Sequence, residues 1–227
     1  LNNAKDIYKG LTELKGSALK VAQMLSMEKN ILPQAYANEF AQAQFSVPPL
    51  SPPLVTKTFR KYLGKSPLDI FDTFNKESVR AASMGQVHQA SLNNVNLAVK
   101  IQYPGVAESI SSDLALIKPF AVKMLNLKGK DSDKFFEEVE SKLIEETDYE
   151  LELKRSIMIK EASKKLPCLI FPIYYEELSG PKILTMSWLE GIHLSEFSNK
   201  NQDKLLSNKI GQSLWDFYMY QMHELKK

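Results

Sequence analysis

R-A-A-S-M-G-Q-V-H-Q-A-S-L-N-N-V-N-L-A-V-K, residues 80–100, is the stretch on which the fold turns. It opens with a turn of small residues, Ala81, Ala82, Ser83 and Gly85. An alternating run follows, then Asn93-Asn94, then a second run ending at Ala98-Val99-Lys100. Asparagine tolerates positive φ, so the pair predicts a hairpin turn between strands over 85–92 and 95–102. Small residues let backbone N–H groups come close to phosphates. A lysine fixed at the end of the adjoining strand would place one cation beside them, which makes this stretch a candidate nucleotide site.

Working outward, a strand near 77–83 precedes the hairpin, and Tyr103-Pro104-Gly105 breaks the last strand. Helical periodicity over 106–126 and 132–165 follows, with two further strands at 169–175 and 182–188 around Ser179-Gly180-Pro181. Upstream, Leu11, Leu14, Ala18, Val21, Ala22 and Leu25 recur at helical spacing within 6–29, and Pro33 opens a second helix over 34–44. The proline-rich 46–53 segment predicts an extended loop before a helix from Leu54 to Leu63, stopped at Gly64. Beyond Leu194 the chain reads as helical, strongly so over 205–225. The stripe Trp215, Tyr218, Met219, Met222 has the spacing of a core face.

Composition narrows the function. Among 227 residues, 29 basic and 27 acidic side chains leave a net charge of +2, and arginine occurs only at Arg60, Arg80 and Arg155. Neither a strong field nor a supply of bidentate readers favours nucleic acid as a partner. A single cysteine, Cys168, rules out an internal disulfide and suits a reducing compartment; its apolar neighbours predict a small core filler. No apolar run is long enough to span a bilayer and no signal peptide opens the chain, so a soluble intracellular domain is expected. Because Leu1 is not an initiator methionine, the chain is expected to be cut from something longer.

Two clusters of charge invite a functional reading. On one continuous helix, Asp148 and Glu152 would share a face, while Glu146 and Glu152 would lie about 120° apart and could serve two separate cations. Lys100 is the natural partner for one of these carboxylates, since an acidic helix orients the corresponding lysine in kinases. A solvated acidic face paired with Lys154 and Arg155 satisfies the same pattern. In the first helix Gly16, Lys20, Gln23 and Met27 fall on one face, which fits close packing around a charge or an exposed lysine on an amphipathic helix. His88, His193 and His223 have no metal-ligand spacing, and no nucleophile elbow occurs.

The order of turn, strand and lysine is the layout of a protein-kinase small lobe with alanines largely in place of the glycines of its phosphate cover. Four motifs extend the likeness over almost the whole chain, which resembles the UbiB family of atypical, protein-kinase-like proteins, the aarF-domain kinases of ubiquinone biosynthesis. L-K-V-A-Q-M-L-S (19–26) resembles the family's KxGQ motif, with Lys20 and Gln23. A-A-S-M-G-Q-V-H (81–88) resembles its alanine-rich loop, and A-V-K-I-Q-Y-P-G-V (98–106) its strand-three lysine segment. E-T-D-Y-E-L-E (146–152) resembles its ExD motif and the glutamate after it. Ala22 stands where the motif has glycine, and Arg80 where the loop usually has its first alanine.

The resemblance implies an α+β fold with three parts. Residues 1–66 would be an N-terminal helical extension, 67–190 a kinase-like small lobe with an antiparallel sheet and a long helix, and 191–227 the start of a helical large lobe. ATP would lie beneath Ala81, Ala82, Ser83, Met84, Gly85 and Gln86, with Lys100 on its α and β phosphates and Glu152 steering Lys100. Met186 to Glu190 would be the hinge beside the adenine. Glu146 and Asp148 would face the Lys20–Gln23 helix in a regulatory contact across the place where ordinary kinases receive peptides. The chain stops before the family's catalytic loop and metal-binding aspartate, so the magnesium ligands are expected downstream and this fragment is expected to be inactive. The intact protein would be an atypical kinase or ATPase supporting quinone- or lipid-linked biosynthesis. Its partners would be quinone-pathway proteins or membrane lipid, and its place cytoplasmic or at a membrane periphery. The rival is a nucleotide- or lipid-binding pseudokinase scaffold without turnover.

Overall fold

The computed structural model describes residues 49–82, 84–125, 130–194, 196–197 and 203–225. The helices expected over 6–29 and 34–44, and Lys20 and Gln23 with them, lie outside these residues, as does Ser83.

Helix α1, Pro52–Leu63, begins earlier than the expected Leu54. Its two leading prolines occupy the first turn, where an N–H has no intrahelical acceptor and the fixed φ suits the helix. It ends at Gly64, whose φ of 74° is a left-handed stop. Ser66 and Asp69 form a reciprocal capping box on the short helix α2, Pro67–Ile70. Strands β1 (Thr73–Phe74), β2 (Arg80–Ala82), β3 (Gly85–Leu92), β4 (Val95–Gln102) and β5 (Ile183–Ser187) form one antiparallel sheet. The order is β1-β3-β4-β5, with β2 taking the other stretch of the β3 edge that β1 begins. Asn93 and Asn94, at φ 52° and 62°, make the tight β3–β4 turn that the sequence predicts.

Strand alternation gives the sheet two distinct faces. On one, Ala90, Leu97, Val99, Ile101 and Ile183 meet Val55 and Phe59 of α1, together with Phe71. The fully buried Phe59 ring stands edge-on to Phe71 and Phe74 at centroid distances of 6.0 and 5.5 Å, so α1 shares one core with the sheet. The other face, carrying Lys100 and Leu184, receives Tyr149 and Leu153.

Between β4 and β5 run α3 (Val106–Leu125), α4 (Lys130–Glu146) and α5 (Tyr149–Ala162). Val106, Ile110 and Leu114 of α3 and Phe136, Val139 and Leu143 of α4 are buried, and Lys118 reaches Asp133 at 2.7 Å between the two helices. The continuous helix expected over 132–165 is therefore two helices with a break at Thr147-Asp148. The strand expected over 169–175 does not form: Pro172 lacks an N–H, and only a bridge at Tyr174 to Met186 remains. Ile173 and Tyr175 still follow β5, through Ser187 N–H to Ile173 O at 2.8 Å and Tyr175 N–H to Thr185 O at 3.0 Å. Cys168 is exposed instead of filling a core.

Helix α6, Lys204–Tyr220, buries none of its residues. It touches the lobe through Tyr220 Oη to Ala162 O at 2.8 Å and through Phe217 against Phe171. Trp215 (58% exposed), Tyr218 and Met222 face outward, contrary to the core stripe expected from their spacing. No described helix is long and apolar enough to cross a membrane.

Candidate nucleotide-binding site

The break between α4 and α5 builds the site. At the end of α4 the Thr147 hydroxyl donates to Ile144 O at 2.7 Å, a local bond that competes with helix propagation. The carbonyl of Thr147 instead accepts from the buried Gln102 side chain at 2.7 Å, which ties the junction to the end of β4. Asp148 then caps α5, its carboxylate accepting the Leu151 N–H at 2.9 Å. The angles expected from one continuous helix consequently do not apply to Glu146, Asp148 and Glu152. Glu146 ends α4, Asp148 is an exposed cap, and Glu152 stands in the first turn of α5.

From there Glu152 meets Lys100, 52 positions earlier, with both carboxylate oxygens: Nζ lies 2.8 Å from Oε1 and 2.7 Å from Oε2. The lysine side chain is 19% exposed and the glutamate 35%, so the pair lies on an open face of the sheet, above the interior strand β4, and not in a sealed core. Nζ is also 4.5 Å from the centroid of the Tyr149 ring, within cation–π range. Two of the three ammonium donors are taken up by Glu152, and the third has no hydrogen-bond partner among the described residues. Tyr149 is buried, and its hydroxyl has no hydrogen-bond partner among the described residues. Burial first, and then the charges of Glu152, Tyr103 and Glu146, push its ionisation well above the ordinary phenol range. The ring is thus a neutral, fixed floor beneath the cation.

The alanine turn lies next to this pair, since Val87 of β3 is opposite Lys100. Ala81 and Ala82 are on β2 at the sheet edge. Met84 and Gln86 are buried, backbone included: the Met84 carbonyl accepts the Tyr103 N–H at 3.0 Å, and Gln86 lies in the sheet between Ala81 and Ile101. Gln86 Oε1 accepts Leu50 N–H at 2.7 Å, and its amide nitrogen lies 2.6 Å from His88 Nε2. His88 Nδ1 is 2.8 Å from Asn75 O; donation there leaves Nε2 to accept from Gln86. Burial depresses the histidine's basicity, with the Asn75 carbonyl opposing, and the ring stacks on Phe74 at 5.0 Å. Gly85 is pressed against the Ile101 carbonyl and the Tyr149 hydroxyl, a packing use of its bareness inside the lobe.

Met186 is half-buried on the Lys100 face, beside Tyr149 and Leu184, while Glu190 is exposed beyond the end of β5. Of the neighbouring acids, Glu145 pairs with Arg155 and, at 3.3 Å, with Lys142. The structure therefore gathers Lys100, Glu152, Met186 and Gly85 on one face of the sheet, turns the Gln86 side chain to the other, and leaves Asp148 and Glu190 outside that group. Sequence reasoning missed Tyr149 and Gln102. Tyr149 is one helical turn before Glu152, and that spacing could have found it; the tie from Gln102 to a backbone carbonyl carries no sequence signal. Among the described residues, no group of three or more His, Cys, Asp or Glu is placed to hold a metal.

A model of the ABC1 atypical kinase-like domain matches residues 42–226. The chain is 29% identical over 225 residues to Protein ACTIVITY OF BC1 COMPLEX KINASE 8, chloroplastic, of Arabidopsis thaliana, covering 96% of this chain and 30% of that protein. It is 31% identical over 205 residues to Atypical kinase COQ8, mitochondrial, of Saccharomyces cerevisiae, covering 89% of this chain and 41% of the relative. The chain thus spans less than half the length of either curated relative. Among solved structures, the complex of Rv3197 with erythromycin from Mycobacterium tuberculosis superposes with a TM-score of 0.56 at 30% identity. That match covers 88% of this chain and 51% of the other.

Proposed function

The chain belongs to the ABC1 atypical kinase-like domain family, and from that premise we propose that its sheet and α5 bind the phosphates of ATP as the small lobe of an atypical kinase or ATPase. The observation that carries this is the two-oxygen contact between Glu152 and Lys100 over the Tyr149 ring. A carboxylate that grips a lysine with both oxygens fixes where the remaining ammonium donor points. Lys100 would hold α and β phosphate oxygens, Glu152 and Tyr149 would keep Lys100 in place, and backbone of residues 81–86 would cover the phosphates. Met186 and Glu190 would border the adenine. Bound ATP supplies a phosphoryl group carried with magnesium, whose protein ligands would come from outside the described residues.

The proposal includes the division into a helical extension (1–66), small lobe (67–190) and the start of a large lobe (191–227). In it, Lys20 and Gln23 would face Glu146 and Asp148 and regulate the site. Kinship with COQ8, together with the UbiB resemblance, supports a role in quinone- or lipid-linked biosynthesis, with pathway proteins or membrane lipid as partners.

A thermal-shift titration with ADP, with and without magnesium, on the chain and on Lys100→Ala tests the site. Nucleotide should raise the Tm of the parent chain and leave the variant unmoved. Equal shifts in both, or none in either, would remove Lys100 from nucleotide binding. Steady-state phosphate release then separates an enzyme from a nucleotide-binding scaffold.

A further inference from the structure

On the face of the sheet opposite Lys100 lies a cavity of about 600 Å³, within the range of small-molecule sites. One wall is α1, which turns Pro53, Thr56, Lys57 and Arg60 to the same side at helical spacing. Lys76, just after β1, is on another wall, and Leu68 and Phe74 supply apolar surface, backed by the buried Val55 and Pro67. Three cations therefore border one cavity, and no Asp or Glu is among its described lining residues. None of the three forms an ion pair among the described residues. Asp69 is close enough to feel Arg60, but its carboxylate is turned to the Ser66 hydroxyl and N–H, which hold it ionised below the usual carboxylate range.

Unpaired cations around an apolar floor favour a ligand with the complementary division. We propose that this cavity binds a small organic phosphate, its phosphomonoester head against Lys57, Arg60 and Lys76 and its hydrocarbon part on Leu68 and Phe74. A phosphomonoester near neutral pH carries about −1.5 to −2 charges, which matches several cations better than a carboxylate does. Arginine adds planar, two-point recognition of its oxygens. The site is separate from Lys100, so either assignment can fail without the other.

Calorimetric titration of the chain with hexyl phosphate, inorganic phosphate and hexanol tests each half of the ligand. Hexyl phosphate should bind saturably and more tightly than either half. Arg60→Ala should weaken it about tenfold or more, as expected for loss of a charge-assisted contact. Lys57→Ala and Lys76→Ala should each weaken it in the same direction, and because all three side chains are exposed the fold should be kept. Lys100→Ala should leave the binding intact. Competition by vesicles containing phosphatidic acid would assign the same head group to a lipid, and its absence to a soluble metabolite; both support the site. Inorganic phosphate or hexanol binding as tightly as hexyl phosphate would overturn the proposed ligand class. No saturable binding, binding unchanged in the Lys57, Arg60 and Lys76 variants, or binding lost in Lys100→Ala would overturn the site.

Discussion

Gly85→Ala is the sharpest probe of how the candidate site is assembled. A Cβ built on Gly85 would stand 2.2 Å from the Ile101 carbonyl oxygen and 2.8 Å from the Tyr149 hydroxyl, where ordinary contact starts at 3.4 Å. The first neighbour is backbone in the middle of the sheet and cannot swing aside. β3 and β4 would have to separate by roughly 1 Å, with overpacking worth about 1–3 kcal/mol. One or two weakened ladder bonds at about 0.5–1.5 kcal/mol each bring the expected loss to about 1.5–6 kcal/mol. At about 2–4 °C per kcal/mol for a chain of this size, the Tm should fall by roughly 3–24 °C. Thermal and urea unfolding followed by circular dichroism measures it, with Gly191→Ala as the control. No described residue comes within 4 Å of a Cβ at Gly191, and that variant should stay within about 0.5 kcal/mol of the parent. Adding Tyr149→Phe to Gly85→Ala should relieve only part of the loss, because the carbonyl clash remains. A Gly85→Ala protein as stable as the Gly191→Ala control would refute the close apposition of Gly85 and Ile101.

Other outcomes follow from the same packing. Gly211, inside α6 with open space around it, should give about 0.5–1 kcal/mol of added stability when changed to alanine, read as a higher urea midpoint. Phe59→Ala should cost about 3–5 kcal/mol, since its ring is fully buried between α1 and the sheet. Glu152→Gln should change stability by about 1 kcal/mol or less because the ion pair is partly exposed, yet reduce ADP affinity about tenfold if Glu152 aims Lys100; unchanged affinity would count against that role. Burial lowers the His88 pKa from its ordinary 6.5. The unfolded chain therefore takes up this proton first, and stability that is complete above pH 6.5 should decline as pH falls below it. Urea midpoints measured at successive pH values check this, and a flat profile through that window would contradict the buried neutral ring.

Local rules carried much of this architecture. Asn93-Asn94, Gly64 and the alternating runs over 85–92 and 95–102 each act within a few residues, so hairpin, helix stop and strands could be read directly. The juxtaposition of Lys100 with Glu152 came through resemblance, since nothing local joins positions 52 apart. What failed did so for non-local reasons. The helix break at Thr147-Asp148 depends on Gln102 accepting the role of partner to a freed carbonyl, and an acidic helical pattern conceals it. Segment 169–175 has strand-like composition, but Pro172 restricts it to a few bonds with β5. Trp215, Tyr218 and Met222 have core spacing, yet none of the described residues covers that face of α6. Cys168 shows the same gap between apolar neighbours in sequence and burial in space.

The divided rim of the sheet has its own consequence. β1 and β2 are two and three residues long and share the margin of β3, with Lys76 and Glu77 in the interval and Arg80 at the start of β2. A margin so short and so charged offers no lengthy row of free amides for a foreign strand to zip onto. The opposite margin is partly screened where Ile173 and Tyr175 bond to β5. The lobe is thereby guarded against edge-to-edge fibrillation, a safeguard its hydrophobic pattern alone would not supply.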